Sequence, residues 1–263
     1  VHDVPNQLEM MKSVSKNAYR ISSSENVLEL LEKALEEAIS PPTGPVSIEV
    51  PIDIQRVIIK RKETFKKVYV NDKNIPLGDS SSLELIEKQI IKSKRKIMWI
   101  GNGAKKLSTE VEKFVDLGFA VITSTQGRGV IDENHDLCLG SFNAIPKVEK
   151  FYSSLDLMIV VGSRLRGHET KDMSLKLPNN LIQIDIDPLV NGRNYPTDVS
   201  IVGDARVTLE KMNELNMPVP KERVEWLKHV KKICTSYKID FKDVYESDAY
   251  PIRPERIVNE LSN

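Results

Sequence analysis

Apolar residues recur at helical spacing early in the chain. Val27, Leu31, Ala34, Leu35 and Ala38 predict an amphipathic helix over 22–39, with Ser22 and Glu25 placed as a capping box. Pro41-Pro42-Thr43-Gly44 breaks that pattern, and Pro45-Val46-Ser47-Ile48-Glu49-Val50 alternates as a strand does. Residues 51–80 lose periodicity and carry the basic run Lys60-Arg61-Lys62, so 56–80 reads as a linker. From Ser81 helices at 82–93, 108–117, 145–153 and 204–214 alternate with strands at 97–100, 119–123, 156–161, 181–186 and 199–202. Those strands are nearly continuous apolar runs, the mark of a parallel sheet covered on both faces. A helix at 221–235 follows, with Val224, Leu227, Val230 and either Trp226 or Ile233 facing inward. Pro254 then opens a last helix at 254–263.

Repeated strand–helix–strand units ending in glycine or an acid predict an α/β fold: a doubly wound, mostly parallel, Rossmann-like sheet over 81–215. Residues 1–55 and 216–263 read as partial segments on either side. The chain starts at Val1 and stops at Asn263 within an apolar stripe of Ile257, Val258 and Leu261, so both ends are expected to be cut.

Composition narrows the classes. With 38 Lys and Arg against 38 Asp and Glu the chain is neutral, which argues against a dedicated nucleic-acid binder or a protein of anionic membranes. No apolar run approaches the ~20 residues of a membrane span. Cys138 and Cys234, the 2 cysteines, are too few and too far apart in sequence for a thiolate zinc cluster or a disulfide scaffold, and a reduced cytoplasmic chain is expected.

The candidate chemistry sits at strand ends. Gly101-Asn102-Gly103 clears side chains where a strand turns into a helix, so backbone N–H groups there could face a phosphate. A standard dinucleotide fingerprint is not met, because its third glycine falls on Lys106 and no acid ends the next strand. Gly162-Ser163-Arg164 offers a guanidinium fork, Asp185-Ile186 a carboxylate for ribose hydroxyls, and Asp204 either a ligand contact or a helix N-cap. His135, among Asp132, Glu133 and Asp136, lacks the spacing of a metal site, and Cys138 reads as a small packing residue.

Several segments together resemble the thiamine diphosphate-dependent enzymes of the acetolactate synthase, pyruvate oxidase and benzoylformate decarboxylase type. They are Gly44–Asp53, Gly127–His135 with Leu139-Gly140, Asp156–Arg164, Ile184–Pro188, Gly203–Ala205 and Ile252–Arg256. The resemblance implies the end of a pyrimidine-binding domain over 1–55, a central domain over 81–215 and a lead-in to a diphosphate-binding domain. It implies a full-length decarboxylase or carboligase acting on a 2-oxo acid, a homodimer or homotetramer with thiamine diphosphate and magnesium. The activating glutamate would precede Val1 and the metal-binding motif would follow Asn263. No catalytic residue is then expected within the chain itself. In such enzymes the central domain is non-catalytic; it carries the nucleotide part of FAD, ADP or coenzyme A, or stands empty. Here Gly101, Asn102, Gly103, Gly162, Ser163, Arg164, Asp185, Ile186 and Asp204 would carry it. His2 stands where acetolactate synthases have glutamine, and is expected to reach the active site of the intact enzyme as a proton-transfer or substrate-orienting group. The competing expectation is a stand-alone adenine-nucleotide module of sirtuin-like or electron-transfer-flavoprotein-like fold.

Overall fold

The computed structural model describes residues 5–58 and 79–262, apart from 142, 216, 220 and 241. His2 and most of the predicted linker lie outside the described residues. The chain divides into two compact units, Val1–Pro76 and Leu77–Asn263.

In the first unit α1 (Gln7–Val14) leads to β1 (Asn17–Arg20), and α2 (Val27–Ile39) crosses to β2 (Val46–Glu49), which pairs in parallel with β1. A single turn, α3 (Ile52–Gln55), follows. The tyrosine hydroxyl of Tyr19 donates to Glu37, and Asn17 Nδ2 reaches the same carboxylate at 3.1 Å, which ties α2 to β1. The predicted capping box does not form. The Ser23 hydroxyl instead accepts the Glu25 N–H at 3.2 Å, a local turn that competes with helix, and α2 starts only after Asn26.

The second unit opens with α4 (Ser80–Lys92), capped by Asp79, whose side chain accepts the Ser82 N–H at 2.9 Å. Then come β3 (Lys96–Ile100), α5 (Ser108–Asp116), β4 (Ala120–Thr123), α6 (Pro146–Tyr152), β5 (Leu157–Val161), β6 (Leu181–Asp185), β7 (Val199–Val202) and α7 (Ala205–Asn213). The sheet order is β4-β3-β5-β6-β7 and every pairing is parallel. All residues of β3, β4, β5 and β6 are buried, so both faces are covered. Edge strand β7 alternates, with Ser200 and Val202 exposed.

After the sheet come α8 (Arg223–Asp240), the single turn α9 (Lys242–Tyr245) and α10 (Pro254–Ser262). The inward face of α8 holds Val230, the partly buried Leu227 and, of the two alternatives, the buried Trp226, and it adds Cys234; Val224 departs from expectation at 64% exposed. Trp226 is held there by stacking on Phe151 and donating its indole N–H to the Gly118 carbonyl at 2.9 Å. Part of the segment between β4 and α6 also joins the sheet. Val121 donates to the Leu137 carbonyl and accepts from the Leu139 N–H, both at 2.8 Å, which seats Cys138 beside β4 in the core. Cys234, distant in sequence, donates its thiol to the Cys138 carbonyl at 3.3 Å; both cysteines are thiols. Among the described residues no helix is long and apolar enough to cross a membrane.

Candidate functional site

The chain enters the sheet at β3, adds β4 on one side and then returns to lay β5 on the other. Connections leave β3 and β5 in opposite directions, so the carboxyl ends of these two strands form the topological switch point where open α/β sheets bind ligands. The predicted glycines meet there. Gly101 donates its N–H to the Val161 carbonyl at 2.8 Å and Gly103 to the Gly162 carbonyl at 3.0 Å. These two N–H groups are therefore engaged within the fold, and the glycines serve first to bring two backbones together. A Cβ on Gly101 would stand 2.1 Å from the Gly162 carbonyl oxygen. Asn102, between them, is exposed.

Beyond β5 the chain is held by side chains from β6 and its following loop. Ser163 is buried, its carbonyl accepts Gln183 Nε2 at 3.0 Å, and Gln183 Oε1 accepts the Gly192 N–H at 2.9 Å. Asn194 Nδ2 donates to the Arg164 carbonyl at 2.7 Å. With its backbone fixed, Arg164 extends its guanidinium into solvent, 3.7 Å from the Asp187 carboxylate. The Asp185 carboxyl is buried and accepts the Asp187 N–H at 3.0 Å. Burial pushes its pKa up, opposed by that N–H and by the Arg164 charge. Ile186 is half-buried and Leu189, two residues past Asp187, is 76% exposed.

At the last strand end the Gly203 N–H bonds the Asp185 carbonyl at 3.0 Å, and the Asp204 side chain accepts the Val207 N–H at 3.1 Å. Asp204 is thus the N-cap of α7, which accounts for its type without a ligand. The structure brings Gly101–Gly103 against Gly162, and Arg164 against Asp187 and Asp185, along one edge.

Sequence reasoning missed three contributors. Gln183 and Asn194 position the edge, and the signal for Gln183 was a lone amide in the apolar run Leu181–Asp185. Thr123 at the end of β4 is 2% exposed, and its hydroxyl has no partner among the described residues. Such a group calls for a ligand or a water. His135 accepts the Leu137 N–H on Nδ1 at 3.1 Å. Among the described residues no group of three or more His, Cys, Asp or Glu could hold a metal ion. The edge offers a cation, a carboxyl and apolar surface, groups that can hold a ligand by charge, hydrogen bond and contact.

A doubly wound parallel α/β domain is thereby defined. Residues 83–212 match the sequence model of a family described as "Thiamine pyrophosphate enzyme, central domain". Over 97% of its length the chain is 30% identical to a protein of Methanococcus aeolicus described as a probable acetolactate synthase large subunit, covering 45% of that protein. It is 29% identical over 84% of its length to the chloroplastic acetolactate synthase of Arabidopsis thaliana, covering 33% of it. A solved Mycobacterium smegmatis protein described as "a putative thiamin diphosphate-dependent enzyme" superposes with a TM-score of 0.64 and 25% identity, over 83% of this chain and 42% of that one. The chain belongs to the thiamine diphosphate-dependent enzyme family and carries its central domain. It spans less than half the length of these relatives.

Proposed function

We propose that this chain is the middle of an acetolactate synthase-like enzyme that decarboxylates a 2-oxo acid and joins the product to an acceptor. In this reading 1–55 ends a pyrimidine-binding domain, 81–215 is the non-catalytic central domain, and 216–263 leads to a diphosphate-binding domain. The intact enzyme would be a cytoplasmic homodimer or homotetramer, with His2 approaching its active site. The likeness to acetolactate synthase large subunits along nearly the whole chain supports the class.

Thiamine diphosphate, bound with magnesium, would supply the carbanion chemistry of the intact enzyme. The described residues do not fit that group, since they hold no metal-ligating cluster. In this reading no step of that chemistry falls to the described residues of this chain.

The central domain is proposed to carry the nucleotide part of FAD, ADP or coenzyme A. The observation behind this is the Arg164, Asp187 and Asp185 group at the ends of β5 and β6, beside the switch point. Arg164 would pair with a phosphate through its fork of donors, and Asp185 would accept a ribose hydroxyl. Asn102 and Thr123 would add hydrogen bonds, and Ile186 apolar contact. Gly101, Gly103, Gly162 and Ser163 would form the close-packed floor, and Asp204 would be a capping residue at its margin.

Thermal melting of the chain with ADP, FAD and coenzyme A tests the proposal. A ligand of the folded state raises Tm with concentration by mass action. No rise with any of the three would remove the nucleotide role and leave the family membership untouched. Calorimetry should show no magnesium-dependent binding of thiamine diphosphate to the chain alone; micromolar binding would overturn the assignment of that site to other parts of the protein.

A further inference from the structure

On the amino edge of the sheet, away from the switch point, the end of α5, residues 135–137 and the first turns of α8 enclose a recess of about 350 Å³. That is the lower end of the range for small-molecule sites. Its floor is apolar, made by the buried Val115 and Leu137 and the partly buried Leu227. Arg223 enters from α8 with its stem laid over Gly118, where a Cβ would lie 3.3 Å from Arg223 Cγ. The Arg223 Nε is buried and has no hydrogen-bond partner among the described residues. Arg223 forms no ion pair among the described residues, and a carboxylate is the group its planar fork matches best; with Nε shielded, the terminal Nη groups would make the contact. The lining carboxylates do not serve it: Asp136 pairs with Lys231 at 2.8 Å, and Asp116 is exposed and forms no hydrogen bond to Nε. Lys228 adds a second cation to the wall.

We propose that this recess binds a small aliphatic carboxylate, its head on the Arg223 guanidinium and its tail on Val115, Leu137 and Leu227. Arg223 and Lys228, two cations without an ion pair among the described residues, stand beside an apolar floor and match an anionic head with an apolar body. A compact, fully hydrated anion would leave the floor uncovered.

The test follows the amide resonances of the isotope-labelled chain during titration with hexanoate, with hexanol and with inorganic phosphate. Hexanoate is expected to give saturable shifts at Val115, Leu137 and Leu227, and Arg223→Gln to weaken its binding about tenfold, the loss typical of a hydrogen bond to a charged group. Hexanol and phosphate should each bind at least about tenfold more weakly than hexanoate, because each lacks one half of the recognised chemistry. Scattered or unsaturable shifts with hexanoate would overturn the site. Equal binding of hexanol would overturn the role of Arg223, and equal binding of phosphate that of the floor. The hexanol arm uses the unaltered chain, so it decides the role of the charge even if Arg223→Gln fails to fold.

Discussion

Gly162 and Gly103 meet backbone to backbone: a Cβ on Gly162 would stand 2.7 Å from the Gly103 Cα, and one on Gly103 2.9 Å from the Gly162 Cα. This contact lets β3 and β5 stay hydrogen-bonded up to the point where their connections part. Gly127 repeats the device from the next loop, where a Cβ would lie 2.1 Å from the Ile100 carbonyl oxygen. The switch point is therefore floored by packed backbone, and side chains further along the edge are left to recognise a ligand.

Alanine at Gly162 faces two penalties. The residue sits at φ 59, in the left-handed region, and its Cβ would collide with main-chain atoms that cannot swing aside. Together these should cost about 3 kcal/mol in a urea unfolding experiment. Gly129 is the control: at φ 82 it is also left-handed, but a Cβ there meets nothing within 4 Å. Gly129→Ala should cost only about 1 kcal/mol. Equal losses would show that conformation rather than close approach sets the requirement at Gly162.

Arg164 gives the opposite signature. Its side chain is 54% exposed and its pairing with Asp187 is a loose 3.7 Å, so Arg164→Gln should change stability by less than about 0.5 kcal/mol. If the edge binds a nucleotide as proposed, the same variant should lose about tenfold in ADP affinity by calorimetry. Unchanged affinity would remove Arg164 from the site.

The sequence showed most clearly what burial imposes. Strands β3 to β6 are enclosed on both faces, so they appear as nearly continuous apolar runs, and their carboxyl ends could be located without coordinates. Strand β1 escaped notice because Asn17, Tyr19 and Arg20 make it read as a connector, and only Ala18 is buried. The inner face of α8, Leu227 and Val230 with Trp226, was legible, but Val224 falls outside it, and the bond from Trp226 to the Gly118 carbonyl was not. No periodicity reports such a pairing. The same holds at the site, where the residue types at strand ends were legible but their bonds were not. Gln183 and Asn194 reach partners 20 and 30 residues away, and the Cys234 thiol reaches the Cys138 carbonyl across 96.

Three successive non-glycine residues after β5, Lys171, Asp172 and Met173, hold φ of 50, 53 and 66. The Thr170 hydroxyl accepts the Met173 N–H at 3.3 Å and keeps the turn closed. Each left-handed residue costs roughly 1 kcal/mol that glycine would avoid, less the entropy glycine adds to the unfolded chain. Met173 is 52% exposed, so its side chain contributes little packing. Met173→Gly should raise the urea midpoint slightly, by up to about 0.5 kcal/mol of stability. A fall would mean that Met173 makes a contact worth more than the strain.

Lys96, the first residue of β3, is 2% exposed, and its ammonium lies 4.9 Å from the centre of the Phe119 ring. Burial lowers its pKa from 10.5 to about 8, and the ring only partly replaces the lost hydration. Below pH 8 the lysine is protonated in both the folded and the unfolded chain, and folding carries the full cost of burying the charge. Between about pH 8 and 10.5 the unfolded chain holds a proton that the folded chain has released, so the cost shrinks as pH rises. Lys96→Met keeps a long flexible side chain and removes the charge. It should therefore stabilise the protein by about 1–3 kcal/mol at pH 7. The advantage should fade as unfolding is measured from pH 8 to 10. A pH-independent gain would point to better packing by methionine, and a loss at neutral pH would show that the pairing with Phe119 outweighs the burial of the ammonium.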